Sequence, residues 1–284
     1  EQVHGAARHE VGALRQLLLE ARHPHAAAQT AGVAAFSSAP PDLLLDARVV
    51  ILAVRDDAIA EVAQMLLTTG LISPRHVLLH CAGALAAADA MAPAVGKVAG
   101  LGTLHPLRAI LRPIPGPTTS DPSGLLLRGT TFGVEGDDGG MSAARALVAA
   151  MGGAPLELNA ANMAAYHAAA ALASNYVVAL LSTAAEVLAG PGNDPGTALA
   201  ALLPLTQGAI ANLATHGLPA GLTGAVRRGD PATVERHLQA LAGQPTALAT
   251  YRLLARRAVE LTAALPDDQR PAAAALDRLR ALLA

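Results

Sequence analysis

Residues Ala47–Val54 read ARVVILAV, and Arg55–Gly70 continue RDDAIAEVAQMLLTTG. After Arg48 the first run is continuously apolar and rich in β-branched residues, the pattern of a central parallel strand buried on both faces. Asp56 and Asp57 then offer carboxylates to the free amides of a following helix, whose apolar spacing runs to Gly70. Working outward, HVLLH (His76–His80) repeats the short apolar run, and Lys97–Leu104 supplies another, closed by His105-Pro106. Thr130–Gly136 and Ala154–Asn159 read as strands on either side of a helix over Ser142–Met151. Strand, helix and strand at this spacing predict a doubly wound α/β sheet. Arg112–Gly124, rich in Pro, Thr, Ser and Gly, is expected to be a surface loop.

From Ala160 the pattern is helical only. A long helix is expected over Ala160–Ala189, closed by Gly190-Pro191-Gly192. Asp194-Pro195 and Asp230-Pro231 each place a capping carboxylate before a proline suited to the first helical turn. Leu248–Leu265 and Gln269–Leu283 complete the set. The expected division is therefore an α/β domain over 1–159 and an all-α domain over 160–284. No Asp, Glu, Lys or Arg lies between Glu157 and Glu186, a run long enough to span a bilayer. Its Asn, His, Ser and Thr residues and its abundant alanine favour a buried helix instead. Covering such a helix on nearly every side calls for a second copy of the chain, so a homodimer through the helical domain is expected.

Composition bounds the function. The 284 residues are 52% hydrophobic and 15% charged, with 20 basic against 22 acidic side chains, so a disordered chain is excluded and no basic excess offers itself to nucleic acid or an anionic membrane. The single cysteine, Cys81, cannot close an intramolecular disulfide, which suits a reducing, cytoplasmic setting. The N-terminal residues lack the apolar core of a secretion signal. His23/His25 and His76/His80 bring no third ligand, and no metal site is expected.

A dinucleotide fold normally opens with a strand, G-x-G-x-x-G and a helix. That motif is absent here, and HEVGAL (His9–Leu14) resembles a second strand. The expectation is that the first βα unit is missing from this sequence. Chemistry gathers elsewhere. His167 lies among alanines, and on a continuous helix Ser174 and Asn175 fall within about 80° of it. An imidazole there can deliver a proton to an atom receiving hydride, and Asn175 can orient that atom; the competing reading is a core histidine bonded to a carbonyl. His105 ends a strand, where α/β sheets present side chains to a ligand crevice. Arg108 and Arg112 are placed to meet a substrate carboxylate.

Six blocks occur in one order: AVRDDAIAEVA (Ala53–Ala63), HCAGALAA (His80–Ala87), LGTLHPL (Leu101–Leu107), FGVEGDD (Phe132–Asp138), YHAAAALASNYVVAL (Tyr166–Leu180) and LTGAVRRGD (Leu222–Asp230). Together they resemble a bacterial family with a Rossmann-like domain followed by a helical domain of unknown function. That family is related to nicotinamide-dependent oxidoreductases such as pyrroline-5-carboxylate reductase and ketopantoate reductase, whose second domain is 6-phosphogluconate dehydrogenase C-terminal-like. The resemblance implies NADP or NAD as cofactor, with Arg15 at the 2′-phosphate and Val54, Asp56 and Gly83 near the nicotinamide. It implies reduction of a small 2-oxo acid or imine between the two domains, with His167, Asn175 and His105 catalytic and Ser174 and Arg108 on the substrate. Arg55, Ala82 and Ala225 depart from the family's usual Pro, Ser and Pro. With the missing glycine loop, these departures support a second reading: a non-catalytic dimeric binding or assembly module that has lost the cofactor.

Overall fold

The structure is a computed structural model that describes residues 42–110, 127–190 and 193–284. The HEVGAL strand, Arg15, Arg112 and the loop Arg112–Gly124 lie outside the described residues. Two compact units divide the chain, Glu1–Ser174 and Asn175–Ala284.

In the first unit, β1 (Val49–Leu52), β2 (Val77–His80), β3 (Gly100–Pro106), β4 (Thr131–Gly136) and β5 (Ala154–Glu157) form one sheet in the order β1-β2-β3-β4-β5. β1, β2 and β3 run parallel, β4 runs against β3, and β5 runs parallel to β4. The side-chain alternation of the strands splits the core in two. Val50, Leu52, Leu78 and Leu101 face a layer built with Ile59, Ala63 and Leu66 of helix α1 (Ile59–Thr68) and Ala87 and Ala90 of the short helix α2 (Ala87–Ala90). Ile51, Leu79, Leu104, Phe132 and Val134 face the opposite layer, with Ala144, Leu147 and Val148 of α3 (Asp138–Ala150). Both faces are covered, which is why apolar side chains occur on either side of these strands. The Rossmann-like α/β sheet followed by helices is therefore the architecture of the chain.

Several expected boundaries move. β3 continues through His105 and Pro106 instead of closing at Leu104. The β3–β4 pair is antiparallel, so the sheet is mixed and not parallel throughout. Helix α3 begins four residues before the expected Ser142, capped by Asp137, whose carboxylate accepts from the amides of Gly140 at 2.9 Å and Leu101 at 3.0 Å. The expected 30-residue helix is interrupted: α4 (Met163–Ala173) ends at Ser174, whose φ of −127° and ψ of −78° are not helical, and α5 (Asn175–Ala189) starts beyond it.

The second unit holds α5, α6 (Pro195–His216), α7 (Pro231–Ala240), α8 (Pro245–Ala263) and α9 (Ala273–Leu283). Asp194 and Asp230 cap α6 and α7 as expected, accepting from Gly196 and Thr197 and from Thr233. α8 starts three residues before the expected Leu248, at Pro245, and α9 starts at Ala273, later than the expected Gln269. The unit's core joins Val226, Val234, Ala255, Val259, Leu276, Leu279 and Leu283. The burial expected of the uncharged segment is not found. The apolar windows of Ala160–Ala189 and of α6 are each only 6% buried, and both are long and apolar enough to cross a membrane.

Candidate functional site

On the α1 face of the sheet, β2 and β3 change from apolar to polar toward their C-terminal ends, Leu78 being followed by His80. Leu101 is followed at two-residue intervals by Thr103 and His105. His105 pairs across the β3–β4 ladder with Gly133. A side chain at Gly133 would collide with the Tyr166 phenol, so glycine there is what lets Tyr166 lie over the strand. The Tyr166 hydroxyl and His105 Nδ1 are hydrogen-bonded at 2.7 Å.

His167, the next residue on α4, is exposed, and its ring meets that of His105 edge to face, with centroids 5.8 Å apart and planes at 77°. The core-histidine reading of His167 therefore fails. Burial lowers the pKa of His105, helped by the neighbouring His167 and opposed by Asp56. Burial also pushes the Tyr166 phenol up to about 12, against the Gly133 amide. Both members of the pair are half-buried, and burial disfavours the charged form of each.

Gly83, expected near the cofactor, is buried beneath these rings. A Cβ added there would stand 2.7 Å from His167 Cδ2 and 2.8 Å from His105 Nε2. Its absent side chain makes room for two imidazoles, so the glycine supports the site from below. Val54 is half-buried and Asp56 exposed at the tip of β1, and the Asp56 charge reaches both His105 and His80. Arg55 is tied to Asp57 by two contacts of 3.1 and 2.5 Å, an exposed ion pair that leaves Asp56 separate. Arg108 is exposed just past β3. Ser174 and Asn175 are not on one continuous helix with His167, because the turn at Ser174 breaks the periodicity on which that placement rested.

Two features escape a reading of the sequence alone. Tyr166 stands in the quoted Tyr-His block, but its partner is 61 residues away. The buried polar residues His80, Thr103 and Glu135 signal themselves only as isolated polar letters in apolar strands. His76, by contrast, is bonded to Ser73 and to the Leu44 carbonyl, so it and His80 serve different partners. No group of three or more His, Cys, Asp or Glu side chains suited to a metal ion occurs among the described residues.

A sheet unit with its polar groups at the carboxyl ends of parallel strands, followed by a helical unit, defines a Rossmann-like two-part protein. Residues 130–258 match the family described as a domain of unknown function, DUF2520. The fold resembles that of protein TM1727 from Thermotoga maritima, with a TM-score of 0.61 at 24% identity over 76% of this chain and 78% of that one. It also resembles Bacteroides fragilis BF3122, described as a candidate NADP oxidoreductase, with a TM-score of 0.56 at 20% identity over 76% and 78%. An NADH-preferring ketol-acid reductoisomerase from an uncultured archaeon matches with a TM-score of 0.50 at 14% identity over 93% and 83%. The resemblance read from the sequence thus holds for the fold, and the family match covers residues 130–258. No curated protein matches the chain.

Proposed function

We propose that this chain is an NAD(P)-dependent oxidoreductase that reduces a small 2-oxo acid or imine, working as a cytoplasmic homodimer. The observation that carries the reading is the His105–Tyr166 hydrogen bond with the His167 ring against it, at the C-terminal tip of β3. The open tip of β1 at Val54 and Asp56, beside the edges of two imidazoles, suits the nicotinamide end of a cofactor, which would supply hydride when bound. Arg15 remains the candidate for a 2′-phosphate. His167, exposed and able to approach a ligand, delivers the proton to the substrate oxygen or nitrogen. Tyr166 holds the His105 ring through Nδ1, leaving its Nε2 edge toward Gly83 and the His167 ring. Arg108, exposed just past β3, is assigned to orienting the substrate.

The test is calorimetric titration of the whole chain with NADPH and with NADH, followed by turnover of glyoxylate, pyruvate and 1-pyrroline. His167→Gln is expected to keep its melting temperature and cofactor affinity while turnover falls by about 10²–10⁴. Failure of both dinucleotides to bind at millimolar concentration would sink the proposal. The non-catalytic dimeric module is the second reading, favoured by the exposed apolar surface of α5 and α6; it predicts dimerisation without dinucleotide binding.

A further inference from the structure

Three polar side chains lie buried in one register across the sheet. His80 stands opposite Thr103 in the β2–β3 ladder, and Thr103 opposite Glu135 in the β3–β4 ladder. His80 Nδ1 accepts from the Ala82 amide at 3.1 Å, which leaves the imidazole proton on Nε2, facing Thr103 Oγ1 at 3.2 Å. Accepting that hydrogen bond, the hydroxyl donates its own proton in a further one to Glu135 Oε2 at 3.4 Å. The same carboxylate oxygen accepts from the Ala87 amide at 2.7 Å. The order of protons along the row is therefore set from both ends. A carboxylate and an imidazole in the core are costly unless fully bonded, and here the bonds end on Ala82 and Ala87. Between those two residues lies Gly83, against which the His105 and His167 rings are packed.

We infer that His80, Thr103 and Glu135 are positioning residues: a proton-ordered row that clamps the Ala82–Ala87 segment as the seat for the His105 and His167 imidazoles. The row touches no reacting atom; it acts through the segment it holds. Its importance to catalysis rests on the proposed oxidoreductase reading, whereas its geometry does not. The charged and titratable groups around His80 are Asp56 at the tip of β1, His105 on β3, Glu135 on β4 and the adjacent Cys81.

Imidazole nitrogen spectra of the whole chain, isotopically labelled, test this directly. In the parent protein His80 is expected as a single Nε2–H tautomer that does not titrate between about pH 5.5 and 8, unlike an unperturbed histidine. Thr103→Val removes the hydroxyl at nearly constant volume. It should shift the His80 Nε2 resonance by taking away its acceptor, move the His105 and His167 resonances, and lower NADPH-driven turnover of the probe substrates by about 10²-fold, the effect of a misplaced reacting group. Thr103→Ser should restore all three. A parent His80 found as the Nδ1–H tautomer, or titrating in that range, overturns the inference without any variant. So does a Thr103→Val protein that melts lower while its His105 and His167 resonances stay in place. Resonances that move in a protein showing no turnover would leave the row standing and remove only the oxidoreductase reading.

Discussion

His80 shows how one side chain couples the site to stability. Burial lowers its pKa from the usual 6.5 to about 4, with Asp56 opposing and His105 adding to the shift. The unfolded chain therefore takes up this proton first as pH falls, and folded stability declines between about pH 6.5 and 4, by about 3 kcal/mol in full. His105, also lowered, pulls in the same direction. His80→Gln can present an amide to Thr103 but cannot protonate. Its denaturant midpoint should fall less than that of the parent between neutral pH and pH 4.5, and equal declines would show that His80 contributes nothing to acid sensitivity. At this scale the sequence is legible only in part. His105 stands out because a polar residue ends an apolar strand before a proline. Tyr166, Thr103 and Glu135 do not, since their partners come from other strands and the periodicity of one strand carries no information about its neighbours.

At the scale of elements, β1 and β2 are readable as short apolar runs because both sheet faces are covered there, whereas β5 is exposed at every position and is marked only by its spacing after α3. The start of α3 is hidden by Gly139 and Gly140, poor helix formers that nonetheless open the helix. Their reason is contact: a Cβ at Gly140 would overlap the Leu101 carbonyl oxygen, and one at Gly139 the Ala99 carbonyl oxygen. Replacing glycine by alanine inside a helix ordinarily gains up to about 1 kcal/mol. Gly140→Ala should instead lose about 1–3 kcal/mol, as overpacking does, because the helix must lift off β3. Thermal or denaturant unfolding reads the sign, and a stabilised variant would refute close backbone packing as the glycine's purpose. The break at Ser174 is invisible for a different reason. Neither glycine nor proline marks it, and an alanine-rich run carries the same helical signal on either side.

The whole chain poses a problem that its second unit makes plain. α7, α8 and α9 converge on a shared core, yet α5 and α6 leave Val178 at 70% and Leu205 at 72% exposure, with Leu188 and Ile210 also outward. No Lys, Arg, Asp or Glu interrupts α6, so its outward face has no charge to keep it solvated. A soluble chain seldom leaves an apolar patch of this extent uncovered, and burying it against an identical surface needs no further sequence, since a two-fold interface meets itself. Two helices of this length can supply the roughly 800 Å² per partner that a stable interface requires. Sedimentation at micromolar concentration should therefore find a dimer. Leu205→Glu combined with Ile210→Glu should yield monomers, because each dimer would bury four uncompensated carboxylates. Both positions lie outside the α7–α9 core, so the variant should keep its helical circular dichroism. A parent chain that sediments as a monomer would overturn the proposed pairing. Cosedimentation of that monomer with phosphatidylcholine vesicles would assign the same face to a lipid surface.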